Sequence, residues 1–235
     1  GVVVDGDPSR VGQRVVVVPT LPCGRCARCV ARPDAPWSCT RPRFLGLDAD
    51  GVFAERFVIS SSLALPVPDT LTDREAAFVE PLAAALAVLD APLSGDIAVH
   101  GDGRIAALIR RVVEASGHRT SPLPVGAREA FDVVIETTTE DLSAALDALR
   151  PGGVLVAKSR PARHAAIDWR QLVHRELRIQ GVKYASFLEA IRWLAERRIE
   201  VADLFGPSFR LDAAGAAFAR AEAGEDLKLF FETDL

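Results

Sequence analysis

Four cysteines, Cys23, Cys26, Cys29 and Cys39, fall within 17 residues in the string CGRCARCVARPDAPWSC. Spacings of C-x2-C, C-x2-C and C-x9-C let one short loop fold back and bring four thiolates to the corners of a tetrahedron, the coordination that Zn2+ takes in closed structural sites. Four thiolates and one Zn2+ sum to a charge of −2, which Arg25, Arg28 and Arg32 inside the loop offset, while Gly24 lets backbone N–H groups approach the sulfurs. An iron–sulfur cluster is a second reading, although its usual fourth cysteine follows after three residues and precedes proline. Disulfides or free thiols are a third. A four-sulfur zinc site has no open position, so it stabilises a loop and performs no chemistry.

The second group with chemical potential is Gly101-Asp102-Gly103-Arg104-Ile105-Ala106. It lies between an expected strand, Asp96 to His100, and an expected helix whose Ile105, Leu108, Ile109, Val112 and Ser116 recur at helical spacing. In that context G-x-G-x-x-A makes a tight turn, lets the backbone approach a pyrophosphate and packs helix closely on strand. Helix N–H groups then hold the phosphates. Gly101, Gly103 and Arg104 are therefore cofactor candidates. No acidic residue stands between Glu114 and Glu129 to take an adenosine ribose, and Arg119 is the one candidate for a phosphate there. A tight strand-to-helix turn that binds nothing is the competing reading.

The histidines are dispersed at His100, His118, His164 and His174, and neither H-E-x-x-H nor G-x-S-x-G occurs. His100 stands beside the glycine turn, and Lys183 and Tyr184 follow another expected strand, a cleft position in such sheets. Structural or solvent-facing roles are the plainer expectation for all three.

The elements that must position these groups are legible in outline. From Gly1 to Pro68 the chain reads as short strands, Val2–Val4, Arg14–Val18 and Phe53–Ile59, separated by Gly, Pro and Asp. Thr72 and Glu75 form a capping box ahead of a buried helix from Ala76 to Leu89. Strand and helix then alternate: Asp96 to His100, the helix after Gly103, a weak strand near His118 to Leu123 and a strand at Asp132 to Glu136. A helix capped by Thr137 and Glu140 follows, ended by Pro151-Gly152-Gly153. Val154 to Ala157, a short helix from Asp168, Leu177 to Gly181 and a helix opened by Ser186 and Glu189 complete the series. Such alternation builds a parallel sheet covered by helices. After the turn Phe205-Gly206-Pro207, a helix from Asp212 to Ala223 and a strand from Leu227 to Glu232 close the chain.

At this point the chain resembles the zinc-containing medium-chain alcohol and polyol dehydrogenases. The resemblance rests on GVVVDGDPSRVGQRVVVVPTLPCGRCARC, on VEPLAAAL and on the glycine turn, in the family's order. It implies an α/β protein with a β-rich GroES-like domain (1–88 with 203–235) carrying a structural zinc lobe (21–43), and a Rossmann-like domain (89–202). It further implies a catalytic zinc, NAD(P), a small-molecule alcohol or ketone substrate, and a homodimer. Glu80, in Val79-Glu80-Pro81-Leu82, matches the acidic residue the polyol branch places at the catalytic metal; a helix carboxylate paired with an arginine is the alternative. The family's catalytic Cys and Gly-His-Glu have no match from Gly1 onward, and the stretch after His118 is short. A degenerate member, a non-redox enzyme or a binding scaffold, is thus the second expectation, and Gly1 is read as either a natural start or a cut end.

With 235 residues and a net charge of −4, the chain is long enough for two small domains. It lacks the charge runs of nucleic-acid binders and any apolar stretch of membrane-spanning length. The segment before Pro8 carries Asp5 and Asp7 and no basic residue, unlike a signal peptide, so the expected location is cytoplasmic.

Overall fold

The computed structural model describes residues 1–138, 142–160, 166–224 and 227–232. The chain divides into two compact units, Gly1–Ala83 with Ala185–Leu235, and Ala84–Tyr184. The fold is α/β.

The first unit opens on β1 (Val15–Val17), β2 (Thr20–Leu21), α1 (Ala27–Ala31), β3 (Arg43–Phe44) and β4 (Ala64–Pro66). β1 pairs antiparallel with β4, Val16 opposite Leu65, and β2 with β3, Thr20 opposite Phe44. Phe53–Ile59, expected as a strand, pairs with nothing among the described residues; its β-prone side chains Phe53 and Val58 point outward instead. β-propensity records fit to a hydrogen-bonded neighbouring strand, and this segment has no such pairing among the described residues, although the Phe53 ring meets those of Phe218 and Phe231 at 5.8 and 5.4 Å. Val2 makes one isolated bridge, to Arg14.

The expected helix from Ala76 to Leu89 is built in three pieces: α2 (Asp73–Ala76), α3 (Val79–Leu86) and a 3-10 turn, Ala87–Asp90. The capping box at its start is complete, since Thr72 Oγ1 accepts from Glu75 N–H and Glu75 returns a carboxylate to Thr72 N–H. Pro81 is tolerated because it falls in the first turn of α3, where an amide hydrogen has no partner to lose. Leu82, Ala83, Ala85 and Val88 are fully buried, as expected from an apolar run on all faces.

The second unit is a sheet of β5 (Ile97–His100), α4 (Arg104–Ala115), β6 (Thr120–Pro122), β7 (Phe131–Glu136), α5 (Leu142–Ala148), β8 (Leu149–Ala157), α6 (Trp169–His174) and β9 (Arg178–Gly181). Strand order is β6-β5-β7-β8-β9, with every pair parallel. Ala98, Val134 and Leu155 from three adjacent strands pack with Ala145, Leu146 and Leu149 in one core. α4 buries Leu108, Ile109 and Val112. The chain leaves β5 toward β6 on one side and returns to β7 on the other, so the crevice at the carboxyl ends of β5 and β7 is the switch point where such sheets take ligands. The return from β6 uses only residues 123–130 and holds no helix.

Pro151-Gly152-Gly153 does not precede the strand but lies within β8, where the register against β7 shifts between Phe131 and Val133. Gly152 takes φ +77°, the left-handed conformation a bulge of this kind needs. The Glu140 cap and His164 lie outside the described residues.

The chain then returns to the first unit through α7 (Phe187–Ala195), β10 (Phe205–Arg210), α8 (Ala214–Glu222) and β11 (Lys228–Glu232). The compact second unit thus stops at Tyr184, ahead of the 202 boundary read from sequence. Three contacts hold this returning stretch in the first unit: Ala185 N–H donates to Ala83 O, Phe187 stacks on Trp37 at 5.6 Å, and Arg197 pairs with Glu75. Phe205-Gly206-Pro207, expected as a turn, begins β10, parallel to β11. Pro207 is accommodated at a register shift between Phe205 and Ser208, where no ladder hydrogen bond is asked of it.

Candidate metal centre and glycine turn

In the first unit, Cys26 caps α1, its sulfur accepting from Cys29 N–H at 3.4 Å. Gly24, at φ +71°, turns the chain between Cys23 and Cys26. Cys39 follows the 3-10 turn Pro36–Ser38 and accepts from Cys23 N–H and Arg41 N–H, each at 3.4 Å. Trp37, in the middle of that turn, is buried and packs against Phe187 with ring centroids 5.6 Å apart.

The four sulfurs all lie within 4.8 Å of one another, with Cys23 to Cys29 and Cys26 to Cys39 both at 4.0 Å. A tetrahedral Zn2+ with Zn–S bonds of about 2.3 Å needs sulfurs roughly 3.8 Å apart, so the arrangement fits the ion. Hydrogen bonds, first from Thr40 and then from Cys29, lower the Cys26 thiol to about 5, whereas burial and neighbouring thiols push Cys29 up to about 12. Cys26 is thus the readier thiolate of the two and Cys29 the one that holds its proton more firmly. Among the described residues this is the one group of three or more His, Cys, Asp or Glu able to share an ion.

Glu80, in the first turn of α3, stands apart from that group. It lines a cavity of about 230 Å³ with Arg14, Val67, Asp73, Ala76 and Val79. Arg14 pairs there with Asp73 at 2.6 Å.

In the second unit, Gly101 takes φ +117°, and a Cβ there would meet Thr137 Oγ1 at 2.3 Å. Only glycine fits. Thr137 Oγ1 donates to His100 O at 2.8 Å, and Arg110 reaches back from α4 to donate to Gly101 O at 2.6 Å, so the turn is braced from two sides. Gly103 caps α4 with no side-chain hydrogen bond, leaving the first amide groups of a twelve-residue helix for another acceptor.

Four polar atoms around this turn are buried without a partner among the described residues: His100 Nδ1, Arg104 Nε, Arg110 Nε and Glu136 Oε1. His100 stands opposite Glu136 in the β5–β7 register. Glu136, 1% exposed, was legible in sequence only as the end of an apolar strand. The signal that could have found it is a carboxylate at the carboxyl end of a parallel strand. Its second oxygen accepts from Lys158 and Ser159 N–H at 3.3 and 3.4 Å, holding the turn after β8. Lys158 Nζ donates to Lys183 O at 2.6 Å and sits 5.7 Å from the Tyr184 ring centroid, which places Lys183 and Tyr184 as its supports.

Arg119 does not join this group. It precedes β6, whose Thr120 pairs with Ile97 at the amino end of β5, and so lies at the opposite edge from Gly101. Its position in sequence after α4 suggested a ribose-side residue, but β6 starts one residue later and leaves it behind.

No helix among the described residues is long and apolar enough to cross a membrane. Residues 1–69 match the alcohol dehydrogenase GroES-like domain. The chain is 22% identical over 276 residues to the L-threonine 3-dehydrogenase of Marinomonas sp. (strain MWYL1), covering 99% of this chain and 80% of that protein. Two solved structures share the fold. One is L-idonate 5-dehydrogenase of Escherichia coli (TM-score 0.84, 23% identity, 98% of this chain and 80% of that one). The other, from Sinorhizobium meliloti 1021, is described as a zinc-binding dehydrogenase and was solved with NADP (TM-score 0.82, 23% identity, 99% and 81%).

Proposed function

We propose, on its GroES-like segment, its relatives and its fold, that the chain is a medium-chain dehydrogenase/reductase and an NAD(P)-linked dehydrogenase of alcohols or polyols. The observation that carries this reading is the braced turn from Gly101 to Arg104 at the switch point of the sheet, with unpartnered polar atoms gathered around it. The residues fit a pyrophosphate: Gly101 brings the backbone close, α4 offers free amides, and Arg104 supplies a cation. When bound, the nicotinamide dinucleotide supplies or accepts a hydride. His100 Nδ1 and Glu136 Oε1 lie where they would satisfy its polar groups or the substrate's.

The four cysteines hold a structural Zn2+ in this reading, and Glu80 is the acidic group on the substrate side. No other group of three or more His, Cys, Asp or Glu among the described residues fits a second metal. A specific observation favours a second reading, a family member without redox activity: residues 123–130 return to β7 without a helix, and the first acidic side chain after β6, Glu129, comes seven residues later and pairs with Arg175 at 3.4 Å. Assaying NAD+ and NADP+ reduction against secondary alcohols and polyols separates the two. The dehydrogenase reading expects turnover with at least one pair, reduced at least tenfold in Glu80→Gln. Full activity in that variant would remove Glu80 from the site, and no turnover with any pair would favour the second reading.

A further inference from the structure

The metal lobe carries a charge pattern that the cysteines do not consume. Residues 21–43 hold five arginines, Arg25, Arg28, Arg32, Arg41 and Arg43, and one acid, Asp34, in a chain whose net charge is −4. No arginine of the five makes a side-chain hydrogen bond or an ion pair with any described residue. Several arginines elsewhere are paired: Arg14 with Asp73, Arg74 with Glu232, Arg150 with Asp96 and Asp132, Arg197 with Glu75.

Arg25, Arg41 and Arg43 line one cavity of about 440 Å³ together with Leu21, Pro22 and Cys23. Arg41 and Arg43 are brought there by the chain leaving Cys39 into β3, and Arg25 by the turn at Gly24. A four-thiolate zinc centre of charge −2 offsets two of the lobe's positive charges and leaves a net excess of positive charge in the lobe. Like charges gathered at one concavity repel, and this arrangement is relieved by a multivalent anion.

We propose that this cavity is a binding site for a phosphate-bearing small molecule, separate from the glycine turn. Guanidinium groups present planar forks that take phosphate oxygens in pairs, and three of them suit a dianion better than a carboxylate's single charge. The volume exceeds that of phosphate alone and falls in the range of small-ligand pockets. Leu21 and Pro22 supply an apolar wall for the organic part. The proposal is independent of redox activity; it rests on the metal reading only in that zinc holds the lobe together.

The test is calorimetric titration of the zinc-loaded protein with phenyl phosphate, with benzoate and phenol as comparisons, and zinc content measured on the same samples. Expected is saturable one-to-one binding of phenyl phosphate that weakens as salt is raised, at least tenfold tighter than benzoate, with none for phenol. Arg41→Ala/Arg43→Ala lowers that affinity at least tenfold at unchanged zinc content, and Arg41→Lys/Arg43→Lys lowers it less. Arg104→Ala, at the glycine turn, leaves it unchanged. Absence of saturable binding overturns the proposal, as does binding lost in Arg104→Ala and kept in the Arg41/Arg43 variants. Zinc lost together with phenyl phosphate binding in both Arg41/Arg43 variants would assign these arginines to the metal centre and equally overturn it.

Discussion

Cys29 and Cys26, in one short loop, differ in what each would bring to an ion. Cys26 at the α1 cap is stabilised as a thiolate by the amide hydrogens around it, while Cys29, buried and surrounded by other thiols, keeps its proton until a cation replaces it. Zinc uptake at neutral pH should therefore release protons, with Cys29 a principal donor, and affinity should fall on acidification because each ligand must be deprotonated. Proton release followed with an indicator dye during zinc titration checks this; uptake without release would contradict it. Cys39→Ser should reduce zinc from about one per chain to a small fraction and lower the melting temperature, since binding energy at a structural site is also folding energy. The four-cysteine set was fully legible in sequence because ligand type and spacing alone define it. Glu136 was not, because a lone carboxylate acquires meaning only when β5 and β7 pair and set it opposite His100.

At the scale of elements, the capping box of α2 is the most strongly determined local feature. Burial alone would raise the Glu75 carboxyl, but hydrogen bonds from Thr72 and the Arg197 guanidinium outweigh it and hold it below its ordinary value. A carboxylate depressed in the folded state contributes stability above its unfolded pKa and loses it as pH falls through the folded value. Wild-type stability should accordingly decline below roughly pH 5, and Glu75→Gln should flatten that part of the denaturation curve. Thr72→Ala should cost about 1 kcal/mol, measured by urea unfolding. Thr72 and Glu75 could be read from sequence because both partners lie within one turn. Phe53–Ile59, Phe205–Pro207 and Pro151–Gly153 could not, and for one reason. Each depends on pairing with a neighbouring strand: Phe53 meets Phe231 of β11 through its ring but has no backbone ladder, Pro207 lies in β10 beside β11, and Gly152 sits at a shift in register. Composition records what a segment prefers, whereas pairing decides what it becomes.

At the scale of the molecule, alternation of strand and helix after Ser94 specified a parallel sheet, and the chain returned one in the order β6-β5-β7-β8-β9. The amino ends of β5, β7 and β8 are tied by Arg150, which reaches Asp132 at 2.7 Å and Asp96 at 2.8 Å. These groups are partly exposed, so screening keeps the loss in Arg150→Ala small, read as a modestly lower urea midpoint. The carboxyl ends of β5 and β7 carry the functional claim. That edge was foreseen at Gly101, Gly103 and Arg104, while its far side, shortened to residues 123–130, is where Arg119 was misplaced.

The account is tested most directly by titrating the zinc-loaded protein with NADH and NADPH while following nicotinamide fluorescence, beside Gly101→Ala. That substitution drives a Cβ into Thr137 Oγ1 and closes the approach to the backbone. Saturable binding of at least one dinucleotide at micromolar concentration, weakened at least tenfold by Gly101→Ala in a protein that keeps its zinc, is the expected result. A flat titration to millimolar concentration, or binding that Gly101→Ala leaves untouched, would contradict it.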